Sequence, residues 1–253
     1  MVRDPRLRRA RSGGGPRLEP AAGVRPAGGA SGLHEAPHAD PHAPLRIRPT
    51  DRVAVFGATY SGKSALINAI ASRWDRRLVY EPKGNPSDRL PNTVLARDGA
   101  AAAAALPGCV QYTPWSIRDI KRDFDAPVGR VLELRGHAIV VHEGFDLGSN
   151  DDGPPEENLA RAVYQGAGMG IPMIYAFQDP IGLWRKWFTQ ASIVVVFYLQ
   201  SDDHRALLAR HLGPARLREP VPFDHSFLVW RRDDPDRVLH LPPLVLPRPA
   251  PVV

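Results

Sequence analysis

Cysteine is nearly absent from this chain: Cys109 is the only one in 253 residues. A single thiol excludes an internal disulfide framework and fits a reducing compartment. Long apolar runs are missing too. The longest, "ASIVVVFYL" and "IPMIYAF", are strand-sized and fall short of the ~18 residues a membrane span needs. The N-terminus is basic without the apolar stretch of a secretory signal, so no leader is expected and the chain reads as soluble and cytoplasmic. What is present is 43% hydrophobic, enough to bury a core in one large domain or two small ones.

Charge is unevenly spread. Residues 1–50 hold nine arginines against four acids, a surplus of five in a chain whose formal charge is +6. The segment is crowded with Gly, Pro and Ala and shows no apolar period, so residues 1–45 read as a disordered basic arm. Such an arm attracts polyanions, or stays a solvated tail. His34, His38 and His42 are spaced by four, but Pro37 and Pro41 break any helix that would align them on a metal. The Pro-rich end, residues 242–253, reads as an extended tail.

Between residues 46 and 241 short β-branched runs alternate with helical stretches. Strands are expected at "RVAVF", "RRLVY", "HAIVVHE", "PMIYAFQ" and "ASIVVVFYL". Helices are expected at 61–74, 100–106, 116–124, 155–166, 180–190 and 201–212, the last capped by Ser201. "SFLVW" and "RVLHL" suggest a closing hairpin. Continuous apolar strands belong to a mainly parallel sheet covered on both faces, hence a three-layer α/β domain.

The stretch "GATYSGKS" (57–64) lies between the first strand and the first helix, the context a phosphate-binding loop demands. Gly57 and Gly62 let the backbone curl so that N–H groups converge on phosphates; Ala58, Thr59, Tyr60, Ser61 and Ala65 complete the cradle. Lys63 would reach the β- and γ-phosphates of ATP, and Ser64 would ligate Mg²⁺. A nucleotide hydrolase also needs an acid at the end of a neighbouring strand. Glu143, after "AIVVH", is the candidate base and second metal-side acid, with Asp146 as the weaker alternative. "GLWRKWFT" mixes aromatics with cations; packing of the aromatics is the preferred reading over a DNA grip.

Other landmarks resemble those of the FtsK–HerA superfamily. "RRLVYEPKGN" looks like its second-strand signature, "GAGMGIPMIYAFQDP" like its Gln-bearing strand end, and "ASIVVVFYLQSDDHRALLARHLG" like the next strand and helix. The resemblance spans about residues 52–213. It implies a RecA-like P-loop ATPase of the ASCE type that works as a ring, usually a hexamer, and moves DNA without regard to sequence. The chain's size and lack of an anchor make it most like the compact genome-packaging ATPases of membrane-containing icosahedral viruses. A capsid or membrane-vertex partner, and a place in the host cytoplasm or at the packaging vertex of a virion, follow from that likeness. The resemblance makes Lys63 and Glu143 catalytic and Gln178 the sensor of the γ-phosphate.

Two departures stand out. The superfamily places Asp before the catalytic Glu, where this chain has His142; Glu81 is then a reserve base. Many relatives also carry an Arg before the "GIP" turn, where this chain has Ala167 and Gly168. Arg161 is the candidate substitute for a finger reaching a neighbouring subunit, with Arg118, Arg130 and Arg185 behind it. A small-molecule kinase and a non-hydrolysing nucleotide-gated assembly module remain as rivals, because one fold hosts many functions.

Overall fold

A computed structural model describes residues 45, 47–85, 88–116 and 118–244. All of these belong to the unit Ala39–Val253. The basic arm, apart from Leu45, and the Pro-rich tail beyond residue 244 lie outside the described residues.

Nine strands form one sheet among the described residues: β1 (Arg52–Phe56), β2 (Arg77–Tyr80), β3 (Val94–Ala96), β4 (Val110–Tyr112), β5 (Ala138–Val141), β6 (Met173–Phe177), β7 (Ile193–Val196), β8 (Phe227–Arg231) and β9 (Asp234–Leu241). Their order is β3-β4-β2-β5-β6-β1-β7-β8-β9. The seven from β3 to β7 run parallel; β8 and β9 are added antiparallel as the expected hairpin. Six helices connect them: α1 (Lys63–Ala71), α2 (Gly99–Ala105), α3 (Ile120–Leu134), α4 (Glu157–Gln165), α5 (Lys186–Thr189) and α6 (Asp202–Leu212). Ser201 caps α6 by accepting from the Asp203 amide, as expected.

The strands between β3 and β9 are buried on both faces, and alternate residues feed separate cores, while β3 and β9 themselves are largely exposed. Val53, Val55, Val79, Val140 and Ile174 meet Leu66, Ile67 and Ile70 of α1. Ala54, Phe56, Tyr80, Val141 and Tyr175 meet Phe124 and Val128 of α3 and Leu159 and Val163 of α4. The period of two in each strand thus divides its side chains between the two helical layers. The expected three-layer α/β fold is what forms.

Several local expectations need correction. β3 and β4 had not been expected; each is three residues long, too short for a periodic signal. α3 starts at Ile120, not 116, and runs through Pro127 to Leu134. Pro127 cannot bond the Asp123 carbonyl one turn back. That carbonyl sits against Gly99, where a Cβ would lie 1.8 Å from it. The Asp123 carboxylate also accepts from the Gly99 amide (2.9 Å) and from the Tyr112 hydroxyl. Packing against α2 and β4 therefore carries the helix past its proline. The segment around Trp187 forms only the single turn α5, with Trp187 buried and its Nε1 donating to Gly148 O at 3.1 Å. Phe188 is buried as well, so these aromatics pack.

Candidate functional site

The parallel strands β5, β6 and β1 end on one edge of the sheet, and their register sets the site. Phe56 pairs with Phe177, and Val141 with Tyr175. Beyond those pairs the ladder continues, with Gly57 N donating to Phe177 O (3.2 Å) and Gly144 N to Ala176 O (3.0 Å). Gly57, Gln178 and Glu143 therefore emerge side by side. One expectation is corrected here. The strand bearing Glu143 does not adjoin β1, because β6 lies between them and carries Gln178 into the gap.

The loop from Gly57 to Gly62 turns tightly around Ser61. A Cβ on Gly57 would lie 2.6 Å from Ser61 Oγ and 2.7 Å from Phe197 Cβ, so only glycine fits. Gly62 takes φ +107°, a left-handed conformation natural to glycine, and opens α1 immediately after. Tyr60 at the tip is exposed. Lys63 folds back over its own loop and donates to Gly57 O (2.5 Å) and Ala58 O (2.8 Å). Burial lowers its pKa to about 8; Glu143 opposes the shift and Lys83 adds to it.

Glu143 is the centre of a small network. Gln178 Nε2 donates to its Oε2 at 3.2 Å, and Lys83 Nζ lies 3.6 Å from the same oxygen. The Thr59 hydroxyl approaches Gln178 Oε1 at 3.4 Å, so the glutamine links the loop to the acid. Burial raises the carboxyl's pKa, with Asp146 adding to the shift; Lys83, the Gln178 hydrogen bond and Lys63 act against it. A cleft of 380 Å³ opens beside these groups, lined also by Ser64, Asp88 and His142. Its lining unites residues from the loop, from the segment after β2 and from the ends of β5 and β6.

The remaining candidates fall elsewhere. Asp146 lines a second cleft, of 340 Å³, which shares Lys83, Glu143 and Gln178 with the first. Glu81 gives its two carboxylate oxygens to the amides of Lys83 (3.0 Å) and Asn85 (3.2 Å). It shapes the turn that delivers Lys83 and does not line the phosphate-loop cleft. Arg161 pairs along its own helix with Gln165 Oε1 (3.2 Å) and lines a cleft with Arg130 and Glu133. Arg130 is paired to Glu133 at 2.9 Å. Arg185 lines another cleft with Arg210 and His211, and Arg118 is exposed ahead of α3. None of these arginines lines its own subunit's phosphate-loop cleft.

Sequence reasoning missed Lys83 and Asp88. Lys83 stands in the quoted "EPKGN", but its partner is distant in sequence. The His142 amide donates to Tyr80 O (2.9 Å), which ties the ends of β2 and β5 together and brings that lysine to Glu143. His142 is buried, and burial lowers its pKa to about 4, against the pull of Asp88, so its ring is neutral.

Among the described residues no group of three or more His, Cys, Asp or Glu side chains could hold a metal alone. A divalent cation at Ser64 would therefore take ligands from nucleotide phosphates and water as well, which suits a nucleotide-bound ion. Nor is any helix of the described residues long and apolar enough to cross a membrane.

No protein-family model matches the sequence, and no curated protein matches it. Solved structures do. The genome packaging NTPase B204 from Sulfolobus turreted icosahedral virus 2, in complex with ATP-gammaS, aligns with a TM-score of 0.64 at 13% identity. The match covers 79% of this chain and 100% of that one. ATPases 2 and 3 of EssC from Geobacillus thermodenitrificans align at 0.53 and 13% identity, over 77% of this chain and 40% of that one. The cytoplasmic domain of the Type VII secretion ATPase EccC from Thermomonospora curvata gives 0.50 and 17%, over 78% and 24%. At such identities what is shared is the fold. The chain thus has the fold of these ATPases, the expected three-layer α/β architecture, and matches B204 over the whole of that protein's length.

Proposed function

We propose that this protein is an ATP-hydrolysing motor that translocates DNA, of the kind that pumps a viral genome into a capsid. One observation carries the reading: Gln178 touches both the phosphate loop, through Thr59, and the buried acid Glu143. A γ-phosphate bound in the loop would lie beside the groups that must act on it. The likeness of the fold to a packaging NTPase supports the choice among motors.

In this reading the loop amides and the N-terminus of α1 hold the phosphates. Lys63 exchanges its two loop carbonyls for β- and γ-phosphate oxygens, and its charge compensates that of the transition state. Ser64 and Glu143 are the protein's ligands on the cation side, and a bound Mg²⁺ would neutralise the phosphates. Glu143 accepts a hydrogen bond from the attacking water and polarises it. Its raised pKa makes it a better proton acceptor than an exposed glutamate. Gln178 can donate to a phosphate oxygen in place of Glu143, and so reports the nucleotide's state to the acid. Arg161 of a neighbouring subunit in a ring, hexameric in this reading, supplies the remaining positive charge. The basic arm, or a capsid or vertex protein that it meets, would dock the motor.

The test is steady-state ATP hydrolysis with and without long double-stranded DNA, alongside the oligomeric mass. The expected result is stimulated turnover by a ring-sized species, falling about 100-fold or more in Glu143→Gln with nucleotide still bound. Turnover by a monomer indifferent to DNA would instead favour the small-molecule kinase. Binding with no turnover would establish the assembly module.

A further inference from the structure

On the side of β1 away from Glu143, three rings gather beside the phosphate loop. β7 is the neighbour of β1 there, and just past its end Tyr198 O accepts from Ala58 N at 2.8 Å. β8 runs antiparallel and pairs Leu228 with Val196, so the segment leading into it arrives on the same edge as the loop. That segment carries Phe223 and His225. Phe223 sets its ring nearly edge-on to Tyr198, with centroids 5.2 Å apart, and His225 lies next to it at 6.3 Å. His225 takes φ +68°, a conformation uncommon for a residue with a side chain. Its ring lies against the loop: a Cβ on Gly62 would be 3.5 Å from Nδ1. A single exposed aromatic is ordinary on a protein surface. Phe223, however, is 56% exposed within a row of rings that begins at the phosphate loop.

We propose that Phe223 and His225 are the platform for the nucleotide base, which they hold by stacking and without reading its edges. In the nucleotide site proposed above, on which this inference rests, the γ-phosphate faces Glu143 and Gln178. Successive loop amides hold the phosphates in a row. The base then comes out at the far end, past Gly62 and towards β7 and β8. Every base has a π face and stacks on any aromatic ring left open to receive it. Phenylalanine has no donor or acceptor with which to tell one base edge from another. The polar side chains beside it bond within their own surroundings. Asp224 Oδ1 accepts from the Ser226 amide (2.9 Å), and Ser226 Oγ meets His240 Nε2 at 3.1 Å. Adenine and guanine should therefore be held about equally.

The test titrates the full chain, with Mg²⁺, against a non-hydrolysable ATP analogue, its GTP counterpart and inorganic tripolyphosphate. The two analogues are expected to bind the wild-type protein within about threefold of each other, because stacking tolerates either base. Phe223→Ala should weaken both about tenfold, at the lower end of what base stacking contributes, and leave tripolyphosphate within about twofold. Phe223→Trp should keep the analogue affinity of the wild type. Phe223→Leu, which leaves an apolar side chain against Tyr198 but no ring, should lose it. Unchanged analogue affinity in Phe223→Ala, or an equal loss for tripolyphosphate, would overturn the platform. A preference for one purine beyond about tenfold would overturn recognition by stacking alone. Failure of the analogues and tripolyphosphate alike to bind the wild-type protein would overturn the nucleotide site itself, and this inference with it.

Discussion

The cleft lined by Arg130, Glu133 and Arg161 encloses 570 Å³, against 380 Å³ at the phosphate loop. Both hold charged side chains, but the charges are arranged differently. In the larger cleft two of the charges find partners one turn away on the same helix: Arg130 with Glu133, and Arg161 with Gln165. Such pairs arise on any exposed helix and contribute about 0.2–0.5 kcal/mol. In the smaller cleft Lys63, Lys83, Glu143 and Gln178 come from four separate segments, and Glu143 is only 12% exposed. Charges buried against remote partners are costly to assemble. Perturbed groups in a cleft are therefore the better mark of a working site, and volume the poorer one.

Removing the lysine of the smaller cleft should break the comparison most severely. Lys63→Ala is expected to lower ATP turnover about 100- to 1,000-fold, the scale of losing one pre-organised charge on a developing anion. Retained DNA-stimulated hydrolysis in that variant would sink the assignment.

The next effect is a pH dependence. Free Lys63 titrates near 8 because it is buried, and bound phosphates would raise that value. Binding then takes up a proton at any pH above 8, so affinity falls as pH rises through this range. Between pH 7 and pH 9 nucleotide affinity should weaken about tenfold. Titration of an ATP analogue at the two values checks it, and the dependence should vanish in Lys63→Ala.

What could be read in the sequence follows from the distance over which each feature is determined. The phosphate loop is contiguous, and its glycines and flanking elements announce it. Glu143 and Gln178 were legible because each follows an apolar strand, although their contact with each other was not. That contact needs β5 beside β6, and the Lys83 contact needs β2 beside β5. Neither pairing is written in any local window. The same holds for α3, whose Pro127 reads as a breaker until Gly99 is seen to receive the Asp123 carbonyl. β3 and β4 escaped because three residues cannot show a period.

Lys83 offers a milder perturbation. Its side chain is 57% exposed, so its hold on Glu143 across 3.6 Å is partly screened. It lowers the pKa of both Glu143 and Lys63. In Lys83→Ala both groups should therefore titrate higher. The acid limb of the pH–rate profile and the loss of affinity at high pH should both move up, each by less than about one unit. A shift of the two limbs in opposite directions would show that Lys83 does not act through its charge.

Within a single subunit the smallest effect is expected for Arg161→Ala. The residue is exposed and its partner Gln165 is on its own helix, so stability should change by less than about 0.5 kcal/mol. Nucleotide affinity of the isolated subunit should not change, because Arg161 does not line that subunit's loop cleft. Thermal unfolding and analogue titration check both. The assembled ring is a different case: if Arg161 is the finger, its turnover falls while the isolated subunit's affinity stays put. That split would set the larger cleft against a neighbour's nucleotide, making the two clefts halves of one site. Ring turnover unchanged by the substitution would pass the role to Arg118, Arg130 or Arg185.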